Sequence, residues 1–106
     1  MADEHTEVLT IVTKYLSALK KAGIDLQKAY LYGSYARGTI RKDSDIDIAV
    51  ISKDFTGIRF DDALKICRYR LDIDLRIEPM PFRPEDFTEE NPLAAEIIKY
   101  GIELSV

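Results

Sequence analysis

Hydrophobic residues recur at intervals of three and four between Val8 and Leu19. This spacing is typical of an amphipathic helix, and Gly23 is a suitable residue to end it. The sequence therefore predicts a helix over residues 4–22. The same spacing predicts a second packed helix over residues 60–70, whose hydrophobic stripe comprises Phe60, Ala63, Leu64, Cys67 and Leu71.

Start and stop signals near the end of the chain predict a third helix. Asn91 is a favourable N-cap, Pro92 suits the first helical position, and Gly101 suits the end of a helix. We therefore predict a helix over about residues 92–100.

Three segments have the hydrophobic patterns of β-strands. The apolar run over residues 28–32 predicts a short buried strand. Residues 45–52 alternate in character, which places Asp45 and Asp47 together on one face. Residues 71–78 alternate strictly, and their charged face comprises Asp72, Asp74, Arg76 and Glu78. Pro79 and Pro81 are expected to end this third strand.

These elements predict a small mixed sheet with helices packed on it, an α/β fold of the α+β type. A short helix or tight turn is expected over residues 34–38, and an exposed loop over residues 39–44. The length of 106 residues fits one domain, which we assign to residues 1–106.

Composition disfavours several classes of function. The net charge of -4 makes nucleic acid an unlikely partner, because nucleic-acid binders usually have a basic face. The single cysteine, Cys67, excludes an internal disulfide and fits a reducing compartment. Asp3, Glu4 and His5 do not fit the basic n-region of a signal peptide, and no apolar run approaches the ~20 residues of a membrane helix. We therefore expect a cytoplasmic protein without membrane contact.

Asp45 and Asp47 are candidate metal ligands. Two ionised carboxylates on one strand face repel each other, and a divalent cation between them removes the repulsion. Magnesium prefers such oxygen ligands and often binds one or two protein carboxylates together with phosphate. A solvated strand face is the alternative interpretation of this pair.

Gly33 and Ser34 form a candidate phosphate-binding turn after the first strand. Glycine permits a positive φ and a close approach of the backbone to a ligand. A turn that begins at Ser34 would direct backbone N–H groups toward an anion, and Arg37 can reach a phosphate. A plain turn with an N-capping serine is the alternative. Tyr32 and Tyr35 flank the turn and are weaker candidates for contact with a nucleotide base.

The charged face of residues 71–78 offers the further carboxylate that two-metal phosphoryl transfer usually requires. Asp74, in the middle of the segment, is the preferred candidate, and Asp72 and Glu78 are the alternatives. On an edge strand the same charges would serve only solubility. Arg41 and Lys42 lie between the two motifs, where a basic loop suits a triphosphate but also fits any exposed loop.

Gly33-Ser34, followed after ten residues by Asp45-x-Asp47, resembles the signature of the DNA polymerase β-like nucleotidyltransferase superfamily. The longer strings GSYARG at residues 33–38 and SDID at residues 44–47 are similar to its minimal, single-domain prokaryotic branch. The string IDLR at residues 73–76 resembles the family's third-carboxylate strand, which supports Asp74.

The resemblance implies roles for these residues. Gly33 and Ser34, with Arg37 nearby, would bind the phosphates of ATP or another nucleoside triphosphate. Asp45 and Asp47 would hold two magnesium ions, and Asp74 would complete the second metal site and help to deprotonate the attacking hydroxyl. The implied reaction is in-line attack on the α-phosphate, with transfer of a nucleoside monophosphate and release of pyrophosphate.

The resemblance also suggests the acceptor. Minimal members of the family often occur beside a small helical HEPN-type protein, and some are antitoxins that transfer AMP to a tyrosine of that toxin. A magnesium-dependent adenylyltransferase is the leading hypothesis. The alternative is an antitoxin that neutralises a HEPN-type partner by binding alone, although such a protein has no need for three aligned carboxylates.

Overall fold

The structure is a computed structural model that describes residues 4–38 and 44–106, without the side chains of residues 4 and 5. Its elements in chain order are α1 (Glu4–Lys21), β1 (Leu26–Tyr32), α2 (Ser34–Arg37), β2 (Ile46–Ser52), α3 (Arg59–Cys67), a 3₁₀ turn (Arg68–Arg70), β3 (Ile77–Phe82), α4 (Pro92–Tyr100) and β4 (Ile102–Leu104). The first and last predicted helices are therefore confirmed.

The four strands form one mixed sheet in the order β3-β2-β1-β4. β1 is antiparallel to both β2 and β4, whereas β2 and β3 are parallel. A parallel pair needs a long crossover connection, and α3 lies within the one that joins β2 to β3. This architecture confirms the predicted fold class and adds β4, a strand that we did not predict.

The sheet has a hydrophobic cluster on each face. Ile46, Ile48 and Val50 of β2 belong to the cluster that contains the buried side of α1. Ala49 and Ile51 belong to the cluster on the other face, which includes Ala94 and Ile97 of α4. Because side chains alternate along a strand, Asp47 lies on the α4 side of the sheet.

The prediction of a strand over residues 71–78 is wrong. Residues 71–76 form turns, and the strand runs from Ile77 to Phe82. Leu71 and Leu75 are 66% and 64% exposed, so the alternation of hydrophobic residues does not reflect alternating burial.

Two prolines lie inside β3, where we expected them to end a strand. Arg76 O accepts a hydrogen bond from Ile46 N at 2.8 Å, so the backbone groups of even-numbered residues in β3 face β2. Pro79 and Pro81 are at odd-numbered positions and face the outer edge of the sheet. Their missing N–H groups therefore remove no hydrogen bond of the ladder.

The stripe predicted to pack α3 against the core is partly wrong. Phe60 and Leu64 are 72% and 60% exposed, and the buried residues of the helix are Asp62 and Ile66. The Asp62 carboxylate is paired, since it accepts hydrogen bonds from Thr56 N, Thr56 Oγ1 and Gly57 N, each at 2.9 Å.

In the described part of the chain, no helix is long and apolar enough to cross a bilayer.

Asn91 caps α4 as predicted. Its Oδ1 accepts hydrogen bonds from Leu93 N at 3.0 Å and Ala94 N at 3.3 Å. Its Nδ2 also donates to Asp86 O at 3.3 Å, which links the cap to the preceding loop. The cap therefore fixes where the helix that covers the Asp47 face begins.

We expect Asn91→Ala to lower the free energy of unfolding by about 1 kcal/mol, because two N–H groups of α4 lose their acceptor. Asn91→Asp, which keeps the acceptor oxygen, is the matched control and should lose less. Urea denaturation measures both variants. Equal losses in the two variants would show that the cap does not carry the effect.

Candidate functional site

The register of β1 and β2 places the Gly33 turn against Asp47. Tyr32, the last residue of β1, is the pairing partner of Asp47 in β2. Gly33 follows with φ 71° and ψ -139°, a conformation that favours glycine. A Cβ at this position would overlap the Asp47 carboxylate and would lie 3.2 Å from its Cγ. The backbone at Gly33 therefore passes directly over this acid.

α2 begins at Ser34 immediately after this turn and ends at Arg37. Arg37 N donates to Gly33 O at 3.1 Å, and Gly38, in the left-handed region, donates to Ser34 O. The sequence thus predicts correctly that a tight helical turn follows the strand. Ser34 is half-buried and Arg37 is exposed, so both lie at the surface beside Asp47.

The register of β2 and β3 brings a third carboxylate to the site. Asp47 pairs with Glu78, and neighbouring residues in register project from the same face of a sheet. Tyr32, Asp47 and Glu78 therefore form a row across three adjacent strands, which we call the site row. Asp45 lies two residues before Asp47, just ahead of β2.

The acids of the site repel one another. Burial raises the pKa of Asp47 above its usual value, and the charges of Asp45 and Glu78 raise it further. Arg37 acts in the opposite direction but does not reverse the shift. The site therefore favours the arrival of positive charge at Asp47.

The structure does not place Asp74 in this row. Asp74 lies in the turn before β3, where its carboxylate accepts hydrogen bonds from Arg76 N, Nε and Nη2 at 2.9, 3.1 and 2.9 Å. These bonds lower the pKa of Asp74. The alternative candidate Asp72 is exposed in the same turn. Of the three candidates, Glu78 is the residue in register with Asp47.

The sequence contains a signal for Glu78 in the positions of the acids relative to the apolar runs. Asp45 and Asp47 stand at the start of an apolar run that becomes β2. Glu78 likewise stands at the start of the apolar run that becomes β3. The acids of the site row thus lie at the beginning of strands rather than in the middle of an alternating segment.

The carboxylates suit a divalent cation but do not form a closed metal cage. Among residues 4–38 and 44–106, no three histidine, cysteine, aspartate or glutamate side chains are arranged to hold a metal ion. The exposed side chains of Asp45 and Glu78 would therefore have to rotate toward Asp47 for the three to converge on one. Magnesium fits this donor set, because it accepts carboxylate oxygens and takes its remaining ligands from water and phosphate.

A cavity of about 430 Å³ adjoins the site row. Gly33, Arg37 and Asp47 are among its lining residues, and α4 contributes Leu93, Glu96, Ile97 and Tyr100. Its size is within the range of small-molecule sites, ~300–1,000 Å³. The sequence does not predict that α4 lines this cavity, because its hydrophobic residues are equally typical of a helix packed in the core.

Tyr32 also lines this cavity. Burial raises the pKa of Tyr32 to about 12, with a further contribution from Asp47. The phenol therefore stays protonated at neutral pH and is available as a hydrogen-bond donor. Of the predicted basic loop, Arg41 and Lys42 lie outside the described residues.

The chain matches a known protein family over most of its length. The family model described as "Polymerase beta, Nucleotidyltransferase" matches residues 13–105. The chain belongs to this nucleotidyltransferase family. The match includes every element from the middle of α1 to β4, and it confirms the family that the Gly-Ser and Asp-x-Asp motifs indicate.

Two relatives of this nucleotidyltransferase occur in Methanocaldococcus jannaschii, and both bear the name "putative protein adenylyltransferase". One is 29% identical over 103 residues, which are 95% of this chain and 99% of the relative. The other is 37% identical over 98 residues, which are 83% of this chain and 65% of the relative.

Solved structures share the fold of this nucleotidyltransferase. A nucleotidyltransferase from Sulfolobus solfataricus, itself called putative, has a TM-score of 0.66 at 18% identity, with 97% of this chain and 87% of that chain covered. A toxin–antitoxin complex with AMP-PNP gives 0.59 at 30% identity, with 88% and 71% covered. A variant of the toxin–antitoxin pair MntA–HpeT gives 0.56 at 30% identity, with 89% and 71% covered.

We expect Gly33→Ala to lower the affinity for a nucleoside triphosphate and magnesium by at least about tenfold. Both this change and Gly23→Ala place an L residue at positive φ, which costs stability. A Cβ at Gly23 meets no atom within 4 Å, whereas one at Gly33 displaces Asp47. Gly23→Ala is therefore the control for backbone strain.

Isothermal titration calorimetry with a non-hydrolysable ATP analogue measures the affinity, and urea denaturation measures the stability. If both variants bind the analogue equally well, the contact between the Gly33 backbone and Asp47 is not part of the nucleotide site.

Proposed function

We propose that this nucleotidyltransferase is a magnesium-dependent adenylyltransferase that transfers AMP from ATP to a hydroxyl of a partner protein. The alignment of Asp47 and Glu78 on adjacent strands, beside Asp45 and the Gly33 turn, is the observation that carries the proposal. Glu78 replaces Asp74 in it as the third carboxylate. The names of the two relatives support a protein acceptor.

In this proposal Asp45, Asp47 and Glu78 hold magnesium. The metal, when bound, would neutralise phosphate charge and make the acceptor hydroxyl easier to deprotonate. Glu78 faces solvent on the outermost of the three strands, so an acceptor can approach it from outside. We propose that the Glu78 carboxylate accepts the proton of that hydroxyl.

The triphosphate would lie over the Gly33 turn. Backbone N–H groups and the Ser34 hydroxyl would bind its terminal phosphates. The Arg37 guanidinium would add positive charge and directional hydrogen bonds to them. The nucleoside would enter the adjacent cavity, where Leu93, Ile97 and Tyr100 offer an apolar surface. The acceptor oxygen then bonds to the α-phosphorus as the bond to the β-phosphate oxygen breaks, and pyrophosphate leaves.

For the acceptor we propose a tyrosine hydroxyl of a small helical toxin of the HEPN type, so that transfer acts as an antitoxin function. The likeness to structures of toxin–antitoxin complexes, one of which contains AMP-PNP, supports this choice. Such a partner would bring its own hydroxyl to the exposed side of the site row.

The carboxylate assignment predicts two different outcomes for three substitutions. Asp47→Asn and Glu78→Gln should each lower the rate of AMP transfer by about 100-fold or more, because charge stabilisation at the reacting phosphate is lost. Asp74→Asn should leave the rate within about threefold, and it should cost about 1 kcal/mol of stability because the bonds to Arg76 weaken. Pyrophosphate release and urea denaturation measure the two effects. Full activity of Glu78→Gln with an inactive Asp74→Asn would return the role to Asp74.

The acceptor assignment can be tested with ATP labelled at the α-phosphate and the product of the neighbouring gene. We expect the label on a tyrosine of that product in the presence of magnesium, as mass spectrometry of its peptides would show. The Asp47→Asn protein is the control and should transfer none. If the neighbouring product is neutralised without label, and Asp47→Asn neutralises it equally, the protein acts by binding alone.

A further inference from the structure

Arg70 contacts the third carboxylate of the site row without being part of that row. Its Nη1 donates to Ile77 O at 2.8 Å and lies 3.4 Å from Glu78 Oε1. We propose that Arg70 is a positioning residue for metal binding, which holds one oxygen of Glu78 and leaves the other for the metal. This inference rests on the proposed function, because it requires Glu78 to be a metal ligand.

The direction of this contact follows from the strand geometry. Arg76 O faces β2, so Ile77 O, one residue later, faces the outer edge of β3. Arg70, from the 3₁₀ turn after α3, reaches that edge and holds Glu78 from the side away from Asp47. The guanidinium therefore balances the charge of Glu78 without standing between the two carboxylates.

Glu78 needs such a contact more than Asp47 does. Asp47 is half-buried under the Gly33 backbone, which restricts its side chain. The Glu78 side chain is longer and 52% exposed, and that of Arg70 is only 25% exposed. Arg70 is therefore the more rigid partner. Carboxylates that ligate metals are commonly hydrogen-bonded to an outer partner, whose loss typically weakens metal binding by about 10- to 100-fold.

A second observation concerns the same side chain. Arg70 Nε is the one buried side-chain nitrogen or oxygen in the described part of the chain without a hydrogen-bond partner. An unsatisfied buried donor costs free energy. Arg70 therefore makes its contacts with Ile77 and Glu78 although its own Nε is left without a partner among the described residues.

The test measures the affinity for Mn²⁺, a paramagnetic substitute for magnesium, by electron paramagnetic resonance. We expect Arg70→Gln to weaken Mn²⁺ binding by about tenfold. Arg68→Gln removes the same charge two residues earlier, where the side chain contacts Tyr69, and should leave the affinity unchanged. In transfer assays Arg70→Gln should raise the KM for magnesium, with kcat recovering at saturating metal.

A double-mutant cycle separates positioning from a general loss of structure. In the Glu78→Gln background, Arg70→Gln should have no further effect on Mn²⁺ affinity, because the group that it positions is already gone. The same loss in both backgrounds would overturn the inference. If Arg70→Gln does not fold, Arg70→Lys enters the same cycle, and any loss of affinity that it shows must likewise vanish in the Glu78→Gln background.

The wild-type protein distinguishes this inference from the function on which it rests. Binding of Mn²⁺ that Asp47→Asn abolishes but Arg70→Gln does not change would retain the metal site and reject the role of Arg70. Absence of Mn²⁺ binding by the wild-type protein would overturn both.

Discussion

The antiparallel pairing of β1 with β2 is the constraint on which the site depends. It sets Tyr32 opposite Asp47, so the chain leaves β1 directly above the carboxylate and must turn at a glycine. A shift of one residue in this register would move Asp47 to the α1 face, into the hydrophobic cluster of Ile46 and Ile48. The apolar face of β2 thus holds the polar face in place, and the stability of the core determines the geometry of the site.

The parts of the fold that the sequence predicts correctly are those with local signals. The stripe of α1, the Asn91 cap of α4 and the alternation along β2 from Ile46 onward each lie within one element. The third strand fails for a physical reason. Its position depends on parallel pairing with β2 across a crossover, and the alternation over residues 71–78 carries no information about that pairing. The string IDLR at residues 73–76, which resembles the family's third-carboxylate strand, lies in turns before β3.

Helical periodicity in α3 shows a related limit. The spacing of Phe60 and Leu64 defines an apolar stripe correctly, but it does not show that the stripe faces the core. Asp62 decides the orientation, because the loop at residues 56–57 satisfies its carboxylate with three hydrogen bonds and makes its burial possible. A satisfied polar residue can therefore turn inward while a large hydrophobic residue beside it remains exposed.

The balance of charge explains how a small domain tolerates a row of acids. Arg37 and Arg70 come from different elements and approach from the periphery, one acting on Asp47 and the other on Glu78. Both carboxylates thereby gain partial compensation of their charge. The pKa of Asp47 nevertheless remains raised, so the compensation is incomplete. The remaining repulsion among Asp45, Asp47 and Glu78 is relieved by added positive charge, which a bound cation would supply.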